Sequence, residues 1–255
     1  MQELEEIKLF MQHLADLSGS IITNYFRAGI SIDIKTDNSP VTIADIESEE
    51  SMREAIMDEY PEHGIIGEEL GAYNEKAEYQ WILDPIDGTK SFICGAISFG
   101  TLIAFLKNGK PLLGVVNHPI LNELLIGDNK ETRLNGSIVK IRECNILDEA
   151  VLLTTDHLDI EKYQNMDKFN TLIRKVKLYR NWGDCYGYYL LATGFADIMI
   201  DPIMSDWDKM AIIPIINGAG GIITDYQGGD PVKGESIIAS SKGLHRKVIK
   251  ILNEQ

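Results

Sequence analysis

The chain has 255 residues, 44% of them hydrophobic and 25% charged, with a formal net charge of −15. This length suits one large domain or two smaller halves, and the mixture is ordinary for a globular protein. So acidic a balance disfavours nucleic acid and anionic membrane as main partners, because both reward basic surface. No run approaches the roughly 20 apolar residues that cross a bilayer.

Residues 4–25 carry Leu4, Ile7, Met11, Leu14, Leu17, Ile21 and Tyr25 at helical spacing. Acids stand near its start where a signal peptide would carry bases, so an amphipathic helix is expected there. A polar stretch, 35–40, precedes a second helix over 46–59, with Asp45 at its N-cap. Beyond Pro61 the pattern turns to strands, at 64–67 and 81–83. Residues 99–107 and 111–117 form two more strands joined at Asn108-Gly109, a pair that tolerates the positive φ of a tight hairpin. Residues 122–127 and 131–141 predict another hairpin around Asp128-Asn129.

From about residue 145 strands and helices alternate. Strands are expected at 150–154, 177–179 and 198–200, and helices at 161–174, 184–194 and 208–218. Pro214 should bend or shorten the last of these. The expected organisation is an N-terminal α+β half, 1–144, and a C-terminal α/β half, 145–255, packed as one unit. Cys94, Cys144 and Cys185 are odd in number, widely spaced and without a Cys-x-x-Cys pair. A disulfide framework is therefore not expected, and a reducing cytoplasm is.

The segment Trp81-Ile82-Leu83-Asp84-Pro85-Ile86-Asp87-Gly88-Thr89 carries the chemistry. An apolar strand ends in two carboxylates, whose hard oxygens suit Mg²⁺, with Pro85 stiffening the link between them. Gly88 admits a phosphate to the backbone, and the N–H groups of Gly88, Thr89 and Lys90 stand at an expected helix start that favours anions. Read alone, Asp87-Gly88 is an ordinary turn and Asp84 a strand-end acid. Glu68, in Gly67-Glu68-Glu69, reads alone as a surface acid, and Asp208, in Asp206-Trp207-Asp208, as a helix cap.

Taken together these motifs resemble the inositol monophosphatase family across nearly the full chain. Ser39-Pro40-Val41-Thr42-Ile43-Ala44-Asp45, Gly67-Glu68-Glu69, Asp84-Pro85-Ile86-Asp87-Gly88-Thr89, Trp207-Asp208 and Gly218-Ala219-Gly220-Gly221 stand in that family's order. The resemblance implies a layered αβαβα sandwich, a homodimer, and an active site between the halves. It implies two or three Mg²⁺ ions held by Glu68, Asp84, the Ile86 carbonyl, Asp87 and Asp208, with Thr42 and Asp45 nearby. A water activated near Glu68 and Thr89 would attack a phosphate ester in line, with Gly88 and Thr89 holding the phosphoryl group. No protein nucleophile is needed.

Arg180-Asn181-Trp182-Gly183-Asp184-Cys185-Tyr186-Gly187-Tyr188 looks most like the histidinol-phosphate phosphatase branch, which serves histidine biosynthesis. Asn181 and Phe195 stand where that branch commonly has Thr and Arg. By resemblance Gly183, Asp184, Cys185 and Asp201 face the alcohol part of the substrate, while Arg180 is a substrate-binding candidate that would suit a second phosphate and could equally serve the dimer or an internal ion pair. Acids there suit the cationic histidinol, and Trp182 offers a surface for its ring. Asp184 could equally be a helix N-cap, and Trp182 a structural residue. The competing readings are an inositol or sugar phosphatase on the same fold, and a family member acting mainly as a protein-binding regulator. The intact acidic set argues against loss of chemistry.

Overall fold

The alternation of side chains along the strands sorts this molecule into layers. The structure is a computed structural model that describes residues 2–36 and 39–254. Helix α1 (Gln2–Tyr25) buries Ile7, Met11 and Leu14 of the expected stripe, and Ile22 in place of Ile21, while Leu4 is exposed. The polar stretch that follows contains an unpredicted antiparallel ribbon, β1 (Ile32–Ile34) with β2 (Pro40–Thr42). Helix α2 (Ile43–Glu59) starts earlier than predicted because Thr42, not Asp45, is its N-cap. Asp45 is the other member of a capping box: it accepts the Thr42 N–H at 2.8 Å, and the Thr42 side chain accepts from the backbone behind it.

Next come β3 (Gly64–Gly67), β4 (Gly71–Tyr73), β5 (Tyr79–Asp87), the short α3 (Thr89–Ile93), β6 (Gly100–Lys107), β7 (Lys110–His118), β8 (Glu123–Gly127), β9 (Thr132–Leu134) and β10 (Ser137–Val139). Among the described residues they form an eight-stranded sheet in the order β10-β9-β8-β7-β6-β5-β3-β4. Its pairs are antiparallel except β3 with β5. The turn at Asn108-Gly109 has the expected positive φ of 50° and 72°. A second Asn-Gly pair, Asn135-Gly136 at 46° and 82°, folds the single strand predicted over 131–141 back into the β9–β10 hairpin.

The C-terminal half runs β11 (Val151–Thr154), α4 (His157–Tyr163), α5 (Met166–Ile173), β12 (Leu178–Arg180), α6 (Asp184–Ala192), β13 (Ile198–Asp201), α7 (Asp206–Lys209), α8 (Ile212–Gly218), β14 (Ile222–Thr224), β15 (Ile237–Ser240) and α9 (Lys242–Asn253). Two predicted helices are each divided. Asn165 caps a new start at α5 by accepting the Lys168 N–H. Pro214 cannot donate to the carbonyl of Met210, and the break between α7 and α8 falls at Met210-Ala211. The second sheet has the order β12-β11-β13-β15-β14, with β15 antiparallel to both neighbours.

Residue by residue, β5 sends Trp81 and Leu83 to α1 and α2 but Ile82 to the middle of the molecule. In β11, Leu153 faces that same middle layer while Leu152 packs with α5 and α9. The core between the sheets comes from α6 and α8 through Tyr188, Leu191, Ile212 and Ile215. The layers are therefore helix, sheet, helix, sheet, helix, and both sheets are covered on both faces. Among the described residues no helix is long and apolar enough to cross a membrane.

Helix α8 sits on two bare backbones. Gly114 of β7 pairs with Gly127 of β8. A Cβ at Gly114 would stand 1.9 Å from the Ala211 carbonyl oxygen, and one at Gly127 would stand 2.4 Å from the Ile215 Cα. These glycines let the segment that follows Asp208 lie directly against the first sheet. Gly114→Ala should destabilise the protein by about 1–3 kcal/mol through overpacking, read as a lower urea midpoint at unchanged m. An unmoved midpoint would mean that α8 can shift off the sheet without cost.

Candidate active site

In a regular strand, residues three apart point to opposite faces. Asp84 and Asp87 nevertheless converge, because β5 is irregular between them. Asp84 pairs with Leu102 and Asp87 with Gly100, so β5 gains one residue over β6 across this step. That bulge rotates Asp87 onto the face of Asp84. Asp208 arrives from α7, where a Ser205–Asp208 capping box orients it: Oδ2 accepts the Ser205 N–H at 2.7 Å. It stands at the third helical position and is not itself the N-cap. Ligand atoms of Asp84, Asp87 and Asp208 all lie within 4.8 Å of one another.

Carboxylates at such distances are unfavourable without a cation. Burial, followed by the charges of Glu68, Asp87 and Asp208, pushes Asp84 well above the usual carboxylate range. Burial and the charges of Asp184 and Asp208 do the same to Asp87. Asp208 is raised to about 7, mainly by burial. Asp84 Oδ1 is buried with no hydrogen-bond partner, and a hard cation is the partner that an oxygen-only donor set suits. The residues present therefore fit a divalent metal.

Glu68 follows β3, and its N–H donates to the Leu83 carbonyl at 3.1 Å. Lys35 Nζ lies 2.9 Å from Glu68 and 2.7 Å from Glu69. Burial raises Glu69 to about 7 against the opposing pull of Lys35. The turn itself is held from beneath by Glu49, fully buried, which accepts the N–H groups of Glu69 at 2.8 Å and Leu70 at 3.1 Å and pairs with Arg53 at 2.9 Å. Gly67 is bare because a Cβ there would stand 1.9 Å from Glu49 Oε1. Glu49 and Arg53 were not singled out from sequence. Their i,i+4 spacing was visible, but such pairs usually lie on a helix surface.

Beside this turn a chain of hydroxyls and carboxylate is locked in place. Thr42 Oγ1 donates to Asp45 Oδ2 at 2.6 Å, and Thr89 Oγ1 lies 3.0 Å from the Ile86 carbonyl and 3.5 Å from Asp45 Oδ1. Burial raises the pKa of Asp45. Gly88 takes φ 85°, and a Cβ on it would meet Asp184 Oδ2 at 2.9 Å. Both the turn and the close approach of the two halves thus require glycine.

A cavity of about 550 Å³ opens over these groups and is lined by Glu68, Asp87, Gly88, Thr89 and Asp208 from the centre just described. Its other wall includes Gly183, Asp184 and Asp201, as expected, together with Asp156, Asp159 and Trp207, which sequence reasoning missed. Asp201 accepts from the Thr155 N–H at 3.1 Å and the Tyr188 hydroxyl at 2.9 Å, and burial raises it to about 6. Asp184, at φ 50°, is not an N-cap but the first residue of α6. Its side chain accepts from Ser91, and burial raises its pKa.

Arg180 and the Cys185 side chain do not line this wall. Arg180 ends the edge strand β12, is exposed, and donates to the Tyr179 carbonyl. Cys185 points into the core; its backbone N–H donates to Asp87 Oδ2, and burial with the nearby Asp87 pushes its thiol far above the usual range. Trp182 is 49% exposed and outside the cavity.

Known proteins share this fold. The chain is 38% identical to an inositol monophosphatase from Zymomonas mobilis of known structure, with a TM-score of 0.87 over 97% of this chain and 98% of the other. It is 35% identical over 239 residues to a histidinol-phosphatase from Chlorobaculum parvum, covering 92% of each. It is 46% identical over 230 residues to the chloroplastic bifunctional phosphatase IMPL2 of Arabidopsis thaliana, covering 89% of this chain and 66% of that protein. The model of the inositol monophosphatase family matches residues 3–255, so the chain belongs to that family and is a metal-dependent phosphomonoesterase.

Proposed function

We propose that the chain hydrolyses histidinol phosphate to histidinol and phosphate, with two or three Mg²⁺ ions held by Glu68, Asp84, the Ile86 carbonyl, Asp87 and Asp208. The observation that carries the substrate choice is the acidic C-terminal wall. Asp156, Asp159, Asp184 and Asp201 all line the cleft, beyond the acids of the metal centre. A cationic alcohol with an ammonium and an imidazole gives these carboxylates a counter-charge, whereas a neutral polyol leaves them without one. The similarity to the histidinol-phosphatase of Chlorobaculum parvum supports the same choice. An inositol phosphate is the second reading, supported by the likeness to the Zymomonas mobilis enzyme.

When bound at these carboxylates, Mg²⁺ supplies positive charge that polarises the phosphoryl oxygens. The residues around it act as holders and proton acceptors. Glu68 takes a proton from the attacking water, and Thr89 Oγ1, oriented by Asp45 and the Ile86 carbonyl, positions that water. Gly88 and the first N–H groups of α3 receive the phosphoryl oxygens, since helix-start N–H groups have no partner within the helix. Asp184 and Asp201 orient the alcohol so that it departs away from the water.

Metal dependence gives a test with its sign fixed. The folded-state pKa values of Asp84, Asp87 and Asp208 lie above their unfolded values. The cost they impose on the folded state is absent at low pH and grows as pH rises, through about 7 for Asp208. Mg²⁺ binding removes that cost, so the melting-temperature gap between Mg²⁺-loaded and chelated protein should widen from about pH 5 to about pH 8. A gap that is absent or narrows with pH would contradict a cation at this centre.

Asp84→Asn should lower turnover by at least about 100-fold, and near-normal turnover would remove Asp84 from the ligand set. Thr89→Ala should cut kcat while leaving the Mg²⁺-induced melting shift in place; loss of that shift would make Thr89 a metal-site residue instead. For the substrate, Asp159→Asn should raise KM for histidinol phosphate several-fold and leave inositol 1-phosphate nearly unaffected. Faster turnover of inositol 1-phosphate than of histidinol phosphate by the unaltered enzyme would overturn the substrate choice.

A further inference from the structure

A second cavity, of about 660 Å³, lies at the far end of α8 and shares no residue with the catalytic cleft. Its wall gathers cations in a chain whose net charge is −15: Lys130, Lys140, Arg142 and Lys242, against Glu143 as the one lining carboxylate. Arg142 is spent on an ion pair with the fully buried Asp197. Lys130, Lys140 and Lys242 are exposed and, among the described residues, make no ion pair. Unpaired lysines that line one concavity of an acidic protein make it a local positive patch, complementary to an anion.

The backbone around them is suited to the same charge. Helix α9, 12 residues long, begins at this cavity with Lys242 and Gly243. Ser241 does not cap it, because its hydroxyl donates to the Cys144 carbonyl at 2.9 Å. The opposite wall is the end of α8, where several of the negative carbonyls that would repel an anion already accept hydrogen bonds. The carbonyls of Ile215, Ile216 and Asn217 accept from Ala219, Gly221 and Gly220, and that of Ala219 accepts from Ile141. Gly220, at φ 86°, leaves open space beside it.

We propose that this cavity binds a small anion carrying two or more phosphoryl groups, at a site separate from the catalytic centre. One phosphate would engage only part of a wall with amines at Lys130, Lys140 and Lys242. The volume falls in the range of small-molecule sites, about 300–1,000 Å³, and is too small for a nucleic-acid duplex. This inference does not depend on which phosphate ester the catalytic cleft prefers.

The test is calorimetric titration of the Mg²⁺-loaded full chain with ADP, with methylenediphosphonate and with inorganic phosphate. Binding of either diphosphate is expected, and Lys140→Glu with Lys242→Glu should weaken it at least about tenfold. That variant should keep its turnover of the catalytic substrate. The milder Lys140→Gln, Lys242→Gln pair should weaken binding less, and Asp84→Asn should not weaken it. If ADP alone binds, the nucleoside also contacts the cavity; if both bind, the diphosphate suffices. The proposal fails if neither diphosphate binds, if the charge reversal leaves affinity unchanged, if inorganic phosphate binds as tightly, or if Asp84→Asn abolishes binding and so locates it in the catalytic cleft.

Discussion

Mutual repulsion among buried carboxylates is the constraint around which the two halves of this protein are arranged. Asp84 and Asp87 come from the first sheet and Asp208 from the second half, and their oxygens meet within 4.8 Å. Burial multiplies the cost, because charges in a low-dielectric interior lose hydration and feel one another strongly. Such a cluster can persist in a folded chain only if packing elsewhere holds its members rigidly. A cation then converts the same arrangement into favourable energy. The acidic set is thus a point of stress in the metal-free fold and, in the function proposed above, the source of its chemistry.

Much of the holding is done by contacts made away from the substrate. Two capping boxes, Thr42–Asp45 and Ser205–Asp208, lend a helix start to the orientation of an acid. The buried Glu49–Arg53 pair fixes the turn that carries Glu68. The Cys185 N–H holds Asp87 from the C-terminal half, and Asp184 of the same helix packs on Gly88. The glycine floor under α8 sets how closely the chain beyond Asp208 approaches the first sheet. The Cys185, Asp184 and α8 contacts cross between the halves, and the cleft is lined from both.

Much of this was legible in the sequence. Helix α1, the β6–β7 hairpin and the alternating second half follow from hydrophobic period and turn chemistry, and the ordered acidic motifs pointed to Glu68, Asp84, Asp87, Thr89 and Asp208. What periodicity could not show was where one element stops and another starts. Pro214 and Asn165 divide helices that looked continuous, and Asn135-Gly136 folds a strand that looked single. Asp45 and Asp208 read as caps when each is the third-position partner in a box, a difference that depends on backbone geometry. The wall was harder still. Arg180 and Trp182 lie next to Gly183 in sequence yet point away from the cleft, while Asp156 and Asp159 enter it from a helix with no motif of its own. Side-chain direction near a sheet edge is decided by packing, which sequence spacing does not encode.

The extra residue in β5 sets a condition on how this chemistry could be gained or lost. Removing one residue between Asp84 and Asp87 would restore an unbroken ladder with β6, at the cost of a contact made by Pro85 or Ile86. The same deletion would leave the two carboxylates two residues apart and still on one face of the strand, but would draw Asp87, Gly88 and Thr89 back by one position relative to Asp208 and the Cys185 N–H. The bulge therefore governs reach more than facing: without it the two acids would keep a common side, yet the turn that follows them would no longer meet the groups that the other half supplies.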